Sequence, residues 1–285
     1  MRAATAPVAA QLSQRAPGAF DVHRYSSLAA AELAVRTREV DAAFVPGPGP
    51  ATLVTASAAG AVARASLVEL FGGLAASTGT PLHEEDVAPL PEGDRAGLSP
   101  FLLAVSVLLP SLLAAVGIAV LGRRSSPPRR LLAAAGAAAG IGLTNAWVVD
   151  QVLGALTGHY WELAGIAALL SLAVSGPALA LHRLLGAPGL ALAALLFLVL
   201  GMPTSGAAVG PHYLPDLFAA LTSAFPGGEA IPAIRGTVYF SGADVGTDLA
   251  RLGTWAAAAV VALLAPSPRR TASPLPARAT AVRPA

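Results

Sequence analysis

The chain carries Arg123-Arg124-Ser125-Ser126-Pro127-Pro128-Arg129-Arg130 between two long apolar runs, residues 100–121 and 131–149. Each run is close to the roughly 20 residues that a helix needs to cross a bilayer. Arginines beside membrane spans stay on the cytoplasmic side, because moving them across the bilayer during insertion is unfavourable. Arg123, Arg124, Arg129 and Arg130 therefore predict the direction of both flanking spans, and through them the direction of every other span.

The overall composition indicates a membrane protein. Of the 285 residues, 55% are hydrophobic and only 12% are charged, whereas about a quarter of the residues in a soluble domain are charged. The apolar runs are continuous rather than alternating, which favours helices over a membrane β-barrel. The sequence therefore predicts an α-helical polytopic membrane bundle, with the lipid bilayer as its first partner.

The membrane region is expected to extend over residues 98–265. Its predicted spans lie at about 100–121, 131–149, 163–181, 187–202 and 249–265. The fourth and fifth spans are short, and the fourth fits a tilted or partly re-entrant helix. The loops assigned to the cytoplasm, and the tail 266–285, contain arginines but no acidic residue, whereas the acidic residues of the membrane region lie in the opposite segments. This distribution predicts a multi-pass plasma-membrane protein with a disordered cytoplasmic C-terminus.

Residues 1–97 are expected to form a small α/β domain. Its predicted elements are a strand at 20–25, a helix at 28–40, strands at 42–45 and 51–55, and a helix at 57–76. With five spans and a cytoplasmic C-terminus, this domain is extracytoplasmic. Residues 1–20 contain no apolar signal segment, so we expect that a preceding span is missing from this sequence.

The segment 203–248 is predicted to lie in the membrane interface or to re-enter the membrane. Prolines and glycines interrupt it, and its candidate functional residues are Pro211, Pro226, Arg235 and Tyr239. Irregular backbone is tolerated at membrane depth only where protein or a water-filled cavity shields it from lipid. Two interpretations remain open: an interfacial cap anchored by aromatic side chains, or the outer gate of a transport path.

Further candidates for a transport path are polar residues of the second span and the loop that follows it: Asn145, Asp150, His159 and Glu162. Polar groups at membrane depth are costly and are functional candidates by default. For Asn145, a hydrogen bond to a neighbouring helix is the alternative interpretation. A metal site or proton relay at Asp150 and His159 would rest on a single histidine without H-E-x-x-H spacing. No metal and no cofactor are therefore predicted.

A group of small residues around Gly136, Gly140 and Gly142 has the spacing of a helix-packing face. We expect this face to pack inside the bundle, with a homodimer contact as the alternative.

Several classes of function are excluded by residue types that are absent. All 18 basic residues are arginine, so the chain contains neither the lysine of a nucleotide-binding loop nor a lysine for Schiff-base chemistry. Without cysteine, thiolate zinc sites and cysteine nucleophiles are excluded as well. A net charge of only +2 provides no polyanion-binding stripe. The sequence therefore predicts neither an enzyme nor a nucleic-acid-binding protein.

Three stretches together resemble a known family. They are Arg38–Pro46, with the sequence REVDAAFVP, Asp86–Asp94, which leads into a span, and the pattern Leu-Pro…Phe-Pro…Ile-Arg…Val-Tyr-Phe-Ser-Gly within 203–248. This combination resembles the permease subunits of type-2 ABC transporters, particularly the phage-infection-protein-like (YhgE/Pip) membrane proteins. The resemblance covers roughly residues 20–265. It implies six spans with a large outer domain after the first, and a separate ATPase subunit as a partner.

The expected function is that of a permease-type subunit that exports a small molecule, a lipid or an envelope component. Its energy would come from a separate ATPase or from the proton gradient. The stretch Arg123–Arg130 is short and contains two prolines, so it differs from the cytoplasmic coupling helix that type-2 permeases present to an ATPase. The alternative is an envelope protein that transports nothing and binds or scaffolds partners through its outer domain.

Overall fold

The structure, a computed structural model, describes residues 20–47, 49–201, 221–222 and 224–265. Pro211 and the tail 266–285 lie outside the described residues. The helices and strands in chain order are α1 (Leu28–Arg36), β1 (Ala42–Val45), β2 (Ala51–Thr55), α2 (Ala61–Ser77), β3 (Leu82–Asp86), α3 (Ser99–Leu121), α4 (Pro127–Trp147, extended by a π-helical turn Val148–Val152), α5 (Tyr160–Leu185), α6 (Ala187–Ala194, extended by a π-helical segment Leu195–Leu200), α7 (Pro226–Tyr239) and α8 (Val245–Leu264).

The N-terminal part folds around a three-stranded sheet in the order β1-β2-β3. β1 and β2 are antiparallel, whereas β2 and β3 are parallel, with α2 as the crossover. Helix α2 packs on the sheet through Phe71, whose ring stacks on Phe44 with centroids 5.0 Å apart. Residues 20–25 form no strand and are mostly exposed. The prediction of a strand there was wrong, because alternation alone supplies no neighbouring strand with which to pair.

Four helices in the described part of the chain are long and apolar enough to cross a membrane: α3, α4 with its π-helical turn, α5 and α8. Helix α6 with its π-helical segment is apolar but shorter. In α5, 72% of the most apolar window is buried, against 39% in α3, 28% in α4 and 22% in α8. Helix α5 is therefore the centre of a helical bundle, and the other spans surround it with one face left for lipid.

One end of the bundle, here called the arginine end, carries the loop 122–126. Arg130 donates hydrogen bonds to the carbonyls of Gly122 and Arg123 at 3.0 and 3.1 Å. Arg183, in the last turn of α5, donates to the carbonyls of Ala262, Leu263 and Ala265. Both arginines thus satisfy carbonyls that a helix C-terminus leaves without a partner.

The helix that contains the second predicted span, residues 131–149, extends beyond that span at both ends. Pro127 and Pro128 occupy the first turn of α4, where a proline lacks only an N–H that has no helical partner. The helix therefore starts at Pro127 and, with its π-helical turn, ends at Val152. Arg129 and Arg130 belong to the helix rather than to the loop.

At the opposite end, here called the domain end, the α/β domain packs against the bundle. The Gly93 turn of the domain lies against the backbone of Gly154 and Ala155 in the loop between α4 and α5. The N-terminus of α8 and the C-terminus of α7 lie at this end too, because Gly236 is close to Val245 and to the Ala243 carbonyl.

Helices α6 and α7 follow one another along the same groove. Both pack against α3 and α5, and an ideal Cβ on Gly227 would lie 3.8 Å from the Gly201 carbonyl oxygen. Phe197 contacts Trp255 of α8, whereas Glu229 contacts Arg251, one turn nearer the domain end. At 1.5 Å per residue, α6 with its π-helical segment and α7 are each about 20 Å long, and together they match the length of α5, about 39 Å. We call this pair the broken helix.

The glycines expected to form one packing face are divided between two faces. At about 100° per residue, Gly142 points away from Gly136 and Gly140. A Cβ on Gly142 would lie 2.5 Å from the Ala164 carbonyl oxygen, so this glycine permits close contact between α4 and α5. A Cβ on Gly136 or Gly140 would meet nothing within 4 Å in the described chain.

The orientation of the bundle can be tested with single cysteines, because the natural chain has none. We expect Ser126→Cys, in the loop at the arginine end, to react with a membrane-impermeant maleimide only after permeabilisation. Thr157→Cys, in the exposed loop between α4 and α5, should react in intact cells. Labelling of the two positions in the reverse order would contradict the orientation inferred from the arginines.

Candidate functional site

A cluster of charged and polar side chains lies between the α/β domain and the broken helix. We call it the junction cluster; its members are Arg38, Asp94, Glu229, Arg235, Tyr239, Asp248 and Arg251. These residues come from the domain, from the entry to α3, and from α7 and α8. Five of them lie between residues 229 and 251, whereas Arg38 and Asp94 are far away in the sequence, so only the tertiary fold brings these two to the others.

Asp94 joins the entry of the first span to the end of α7. Its carboxylate accepts hydrogen bonds from the backbone N–H groups of Leu98 and Ser99 at 3.0 and 3.1 Å. The first N–H groups of a helix have no partner within the helix, and the Asp94 carboxylate supplies one here. The same carboxylate accepts a hydrogen bond from the Tyr239 hydroxyl. Burial and the Asp94 carboxylate raise the pKa of the Tyr239 phenol, so this hydroxyl stays protonated and donates.

Arg235 connects α7 to two carbonyls of the domain side. Its Nη1 donates to the carbonyl of Ala59 at 3.1 Å, at the end of a short helical turn, Ser57–Ala59. Its Nη2 donates to the carbonyl of Gly97 at 3.4 Å, in the turn that enters α3. Gly97 has φ +65°, a conformation that glycine adopts without strain. The planar guanidinium, with several fixed donors, suits such a bridge.

Arg38 provides the main contact from the domain to α7 and α8. Its Nη1 donates to the Pro232 carbonyl at 3.3 Å and lies 3.9 Å from an Asp248 oxygen. The guanidinium also lies over the Phe240 ring, 5.7 Å from its centroid. Arg38 has φ +62°, which is uncommon for a residue other than glycine and indicates a constrained position.

Glu229 and Arg251 form an ion pair near the break between α6 and α7. Arg251 Nη1 lies 3.3 Å from both carboxylate oxygens of Glu229. The Glu229 side chain is 3% exposed, whereas that of Arg251 is 54% exposed. A buried carboxylate needs such a partner, because an unpaired buried charge is strongly destabilising. Pro226, a predicted site residue, is the buried first residue of α7, one turn from this pair.

A cavity of about 400 Å³ opens beside the junction cluster. The domain contributes Arg36, Thr37, Val87 and Ala88 to its lining, and the turn 239–243 between α7 and α8 contributes the rest. The cavity therefore lies at the interface between the domain and the bundle.

Of the predicted transport-path residues that the structure describes, Arg235 and Tyr239 are the two that belong to the junction cluster. Asp150 is buried, and its carboxylate accepts hydrogen bonds from the Gly158 N–H at 2.8 Å and from Gln151 at 2.5 Å. In the described chain no hydrogen bond or ion pair joins Asp150 to His159. Glu162 is exposed in the first turn of α5.

Asn145 lies within α4 and faces α3. Its side-chain oxygen accepts a hydrogen bond from the Ser106 hydroxyl at 2.7 Å, and its amide donates to the Ile141 carbonyl at 2.9 Å. A second interhelical bond, from Ser111 to Ser171 at 2.8 Å, joins α3 to α5. Each of these two hydrogen bonds connects α3 to a neighbouring helix.

We expect Asn145→Leu to lower the free energy of unfolding in detergent by about 0.6 kcal/mol, an average value for an interhelical hydrogen bond in a membrane protein. Thr144→Leu is the matched control, because Thr144 is exposed on the same helix. Equal stability of both variants and the wild type would show that the Ser106–Asn145 bond adds nothing to packing.

The sequence interpretation assigned no functional role to Arg38, Asp94, Glu229, Asp248 or Arg251. Two local signals were available. Glu229 follows Pro226-Gly227-Gly228, a pattern typical of a helix start with an acid in its first turn. Asp94 precedes an apolar run by four residues, where a carboxylate can bind the free N–H groups of a helix. No local signal pointed to Arg38, because its partner Pro232 is 194 residues away.

Comparison with known proteins finds no matching family model, no similar curated protein and no similar solved structure. The resemblance to type-2 ABC permeases therefore stays a prediction from the sequence.

Proposed function

We propose that the protein is a permease-type subunit of the plasma membrane that exports a small molecule, a lipid or an envelope component. The observation that carries the proposal is the broken helix, whose break lies beside the buried Glu229–Arg251 pair and beneath the α/β domain. In this proposal the arginine end faces the cytoplasm, and the domain end faces outward.

A broken helix at membrane depth favours transport, since many transporters build their substrate sites at such breaks. At such a break the N-terminus of one half-helix attracts anionic groups and the C-terminus of the other attracts cations. Here α6 ends at Leu200 and α7 begins at Pro226. Pro232 further loosens α7, because it cannot donate to the carbonyl of Gly228.

The junction cluster gives the outer domain a role in this mechanism. Arg38 and Asp94, on the domain side, bind the Pro232 carbonyl and the Tyr239 hydroxyl of α7. A movement of the domain therefore moves the second half of the broken helix. We propose that the domain and α7 act together as the outer gate, alternately closing and opening the path from the break to the outside.

The source of energy remains either a separate ATPase subunit or the proton gradient. The loop 122–126 at the arginine end is short, which leaves little surface for an ATPase. Further surface for binding an ATPase would have to come from α6, from the tail or from a second copy of the chain.

The alternative function, a non-transporting protein that scaffolds envelope partners, is favoured by a different observation. Strands β1 and β3 are the two edges of the sheet, and an open edge can pair with an extended segment of another protein. In this alternative, the break and its ion pair have only a structural role.

We expect Glu229→Gln to lower export by about ten-fold, which corresponds to about 1.4 kcal/mol of lost interaction at the gate. The measurement is the composition of the medium and envelope of cells that carry a gene deletion, complemented with each variant at equal membrane abundance. Glu69→Gln, an exposed acid on α2, is the matched control. Unchanged export in the deletion strain, with loss of a bound envelope protein, would contradict transport and support scaffolding.

A further inference from the structure

Asp248 is a buried carboxylate whose charge is poorly compensated. It lies in the first turn of α8 and is 6% exposed. Its Oδ2 accepts no hydrogen bond from any residue that the structure describes. The nearest cation, Arg38, is 3.9 Å away, which is beyond hydrogen-bonding distance.

The other charged residues that face Asp248 do not stabilise its negative charge. They are Glu229 on α7, Arg251 on α8, and Asp244 in the preceding turn. Arg251 is engaged by Glu229, and the two acids repel an ionised Asp248. On α7, Arg235 and Tyr239 bind the domain side instead. Helix α3 contains no ionisable side chain, and those of α5 lie at its two ends.

An ionised carboxylate in this position carries a desolvation cost that one cation beyond hydrogen-bonding distance does not offset. Proton uptake removes that cost, because it converts the carboxylate to a neutral acid whose hydroxyl can donate a hydrogen bond. The proton has a short route, since the turn 241–244 above Asp248 is largely exposed at the domain end.

We infer that Asp248 and its neighbour Glu229 form a proton-binding site whose occupancy controls the docking of the α/β domain. Arg38 of the docked domain lies 3.9 Å from Asp248, and the desolvation that accompanies docking raises the proton affinity of the carboxylate more than this distant cation lowers it. By linkage, proton uptake stabilises the docked state, whereas an ionised Asp248 is more stable in contact with water than beneath the domain. Loss of the proton therefore loosens the domain from α7 and α8. This inference goes beyond the proposed function, because proton binding does not depend on what is exported.

The first test is infrared difference spectroscopy on the full chain in lipid nanodiscs, between about pH 5 and about pH 8, a window above the titration of ordinary carboxyl groups. We expect the wild type to gain the carbonyl band of a protonated buried acid on acidification. Asp248→Asn should lose this band, and Asp41→Asn, an exposed acid of the domain, should keep it. A wild type without the band, or a band that Asp248→Asn leaves unchanged, would overturn the proton-binding site.

The second test measures docking and needs no substitution of an acidic residue. Spin labels on Ser66→Cys of α2 and Thr157→Cys of the bundle report the distance between domain and bundle in a chain with no other cysteine. We expect a narrow distance distribution at about pH 5, where Asp248 is protonated, and a broad one at about pH 8. With Arg38→Ala added, the distribution at about pH 8 should be broader than that of the wild type, because the ionised Asp248 then has no cation beside it. A distribution that does not respond to pH in the wild type would show that Asp248 does not control docking.

Discussion

Replacing Asp94 with alanine is expected to lower the free energy of unfolding by about 3 kcal/mol and to release the α/β domain from the bundle. About 1 kcal/mol comes from the loss of the carboxylate that binds the N–H groups of Leu98 and Ser99 at the start of α3. The remaining part, about 2 kcal/mol, comes from the Tyr239 hydroxyl, which loses a charged acceptor in a buried setting.

Thermal unfolding in detergent and limited proteolysis between the domain and α3 would measure both effects. Glu92→Ala is the matched control, because Glu92 is an exposed acid in the same short helical turn. Asp94→Asn keeps an acceptor oxygen and should be intermediate. Wild-type stability and wild-type proteolysis of Asp94→Ala would show that the domain is held in place without this carboxylate.

Adding one methyl group at Gly142 is expected to destabilise the bundle by about 1–3 kcal/mol, the usual range for overpacking a well-packed core. The Cβ of Gly142→Ala would lie 2.5 Å from the Ala164 carbonyl oxygen and 2.8 Å from the Ala168 nitrogen. Both are backbone atoms of α5, so a side-chain rotation cannot relieve the contact. Helices α4 and α5 must move apart along their interface.

Gly140→Ala is the matched control on the same helix, because its Cβ would meet nothing within 4 Å. Alanine is the better helix former, so this variant should be as stable as the wild type or slightly more stable. The midpoint of thermal unfolding in detergent compares the two variants directly. Equal loss of stability at both positions would mean that glycine is needed for the helix itself and not for its contact with α5.

Packing against three neighbouring helices explains why α7, the second half of the broken helix, holds so many buried residues although it is short. Helix α7 packs against α3, α5 and α8, and the domain covers its end. A short helix gains little stability by itself, so these contacts hold it in place. The same dependence makes α7 the element that a movement of the domain displaces first.

Much of the fold could be predicted from the sequence because it depends on local patterns. Strands β1 and β2 occur at the predicted residues 42–45 and 51–55, and long apolar helices occur where long apolar runs do. The helix that holds the second predicted span extends beyond the apolar run to Pro127, because the first turn of a helix accommodates proline. The expected strand at 20–25 failed because a strand needs a partner that alternation does not reveal.

The candidate site was predicted only in part. Arg235 and Tyr239 were identified from an interrupted, polar segment, but their partners were not, because Ala59 is 176 residues from Arg235 and Asp94 is 145 residues from Tyr239. Asn145 and Asp150 were selected for polarity at membrane depth, and the structure gives each of them a nearby hydrogen-bond partner.

The sequence by itself determined that this is a helical membrane protein with a small α/β unit before it, because hydropathy and residue spacing act within one segment at a time. The arginines around residues 123–130 likewise mark one end of the bundle, since positive charge is counted within the loops that flank a span. Only the tertiary structure decided that α6 and α7 share one groove, that Arg38 reaches Asp248, and that the domain is held by charges at the domain end. These features depend on packing between segments far apart in the chain, and no local pattern records which distant side chain will meet a buried charge.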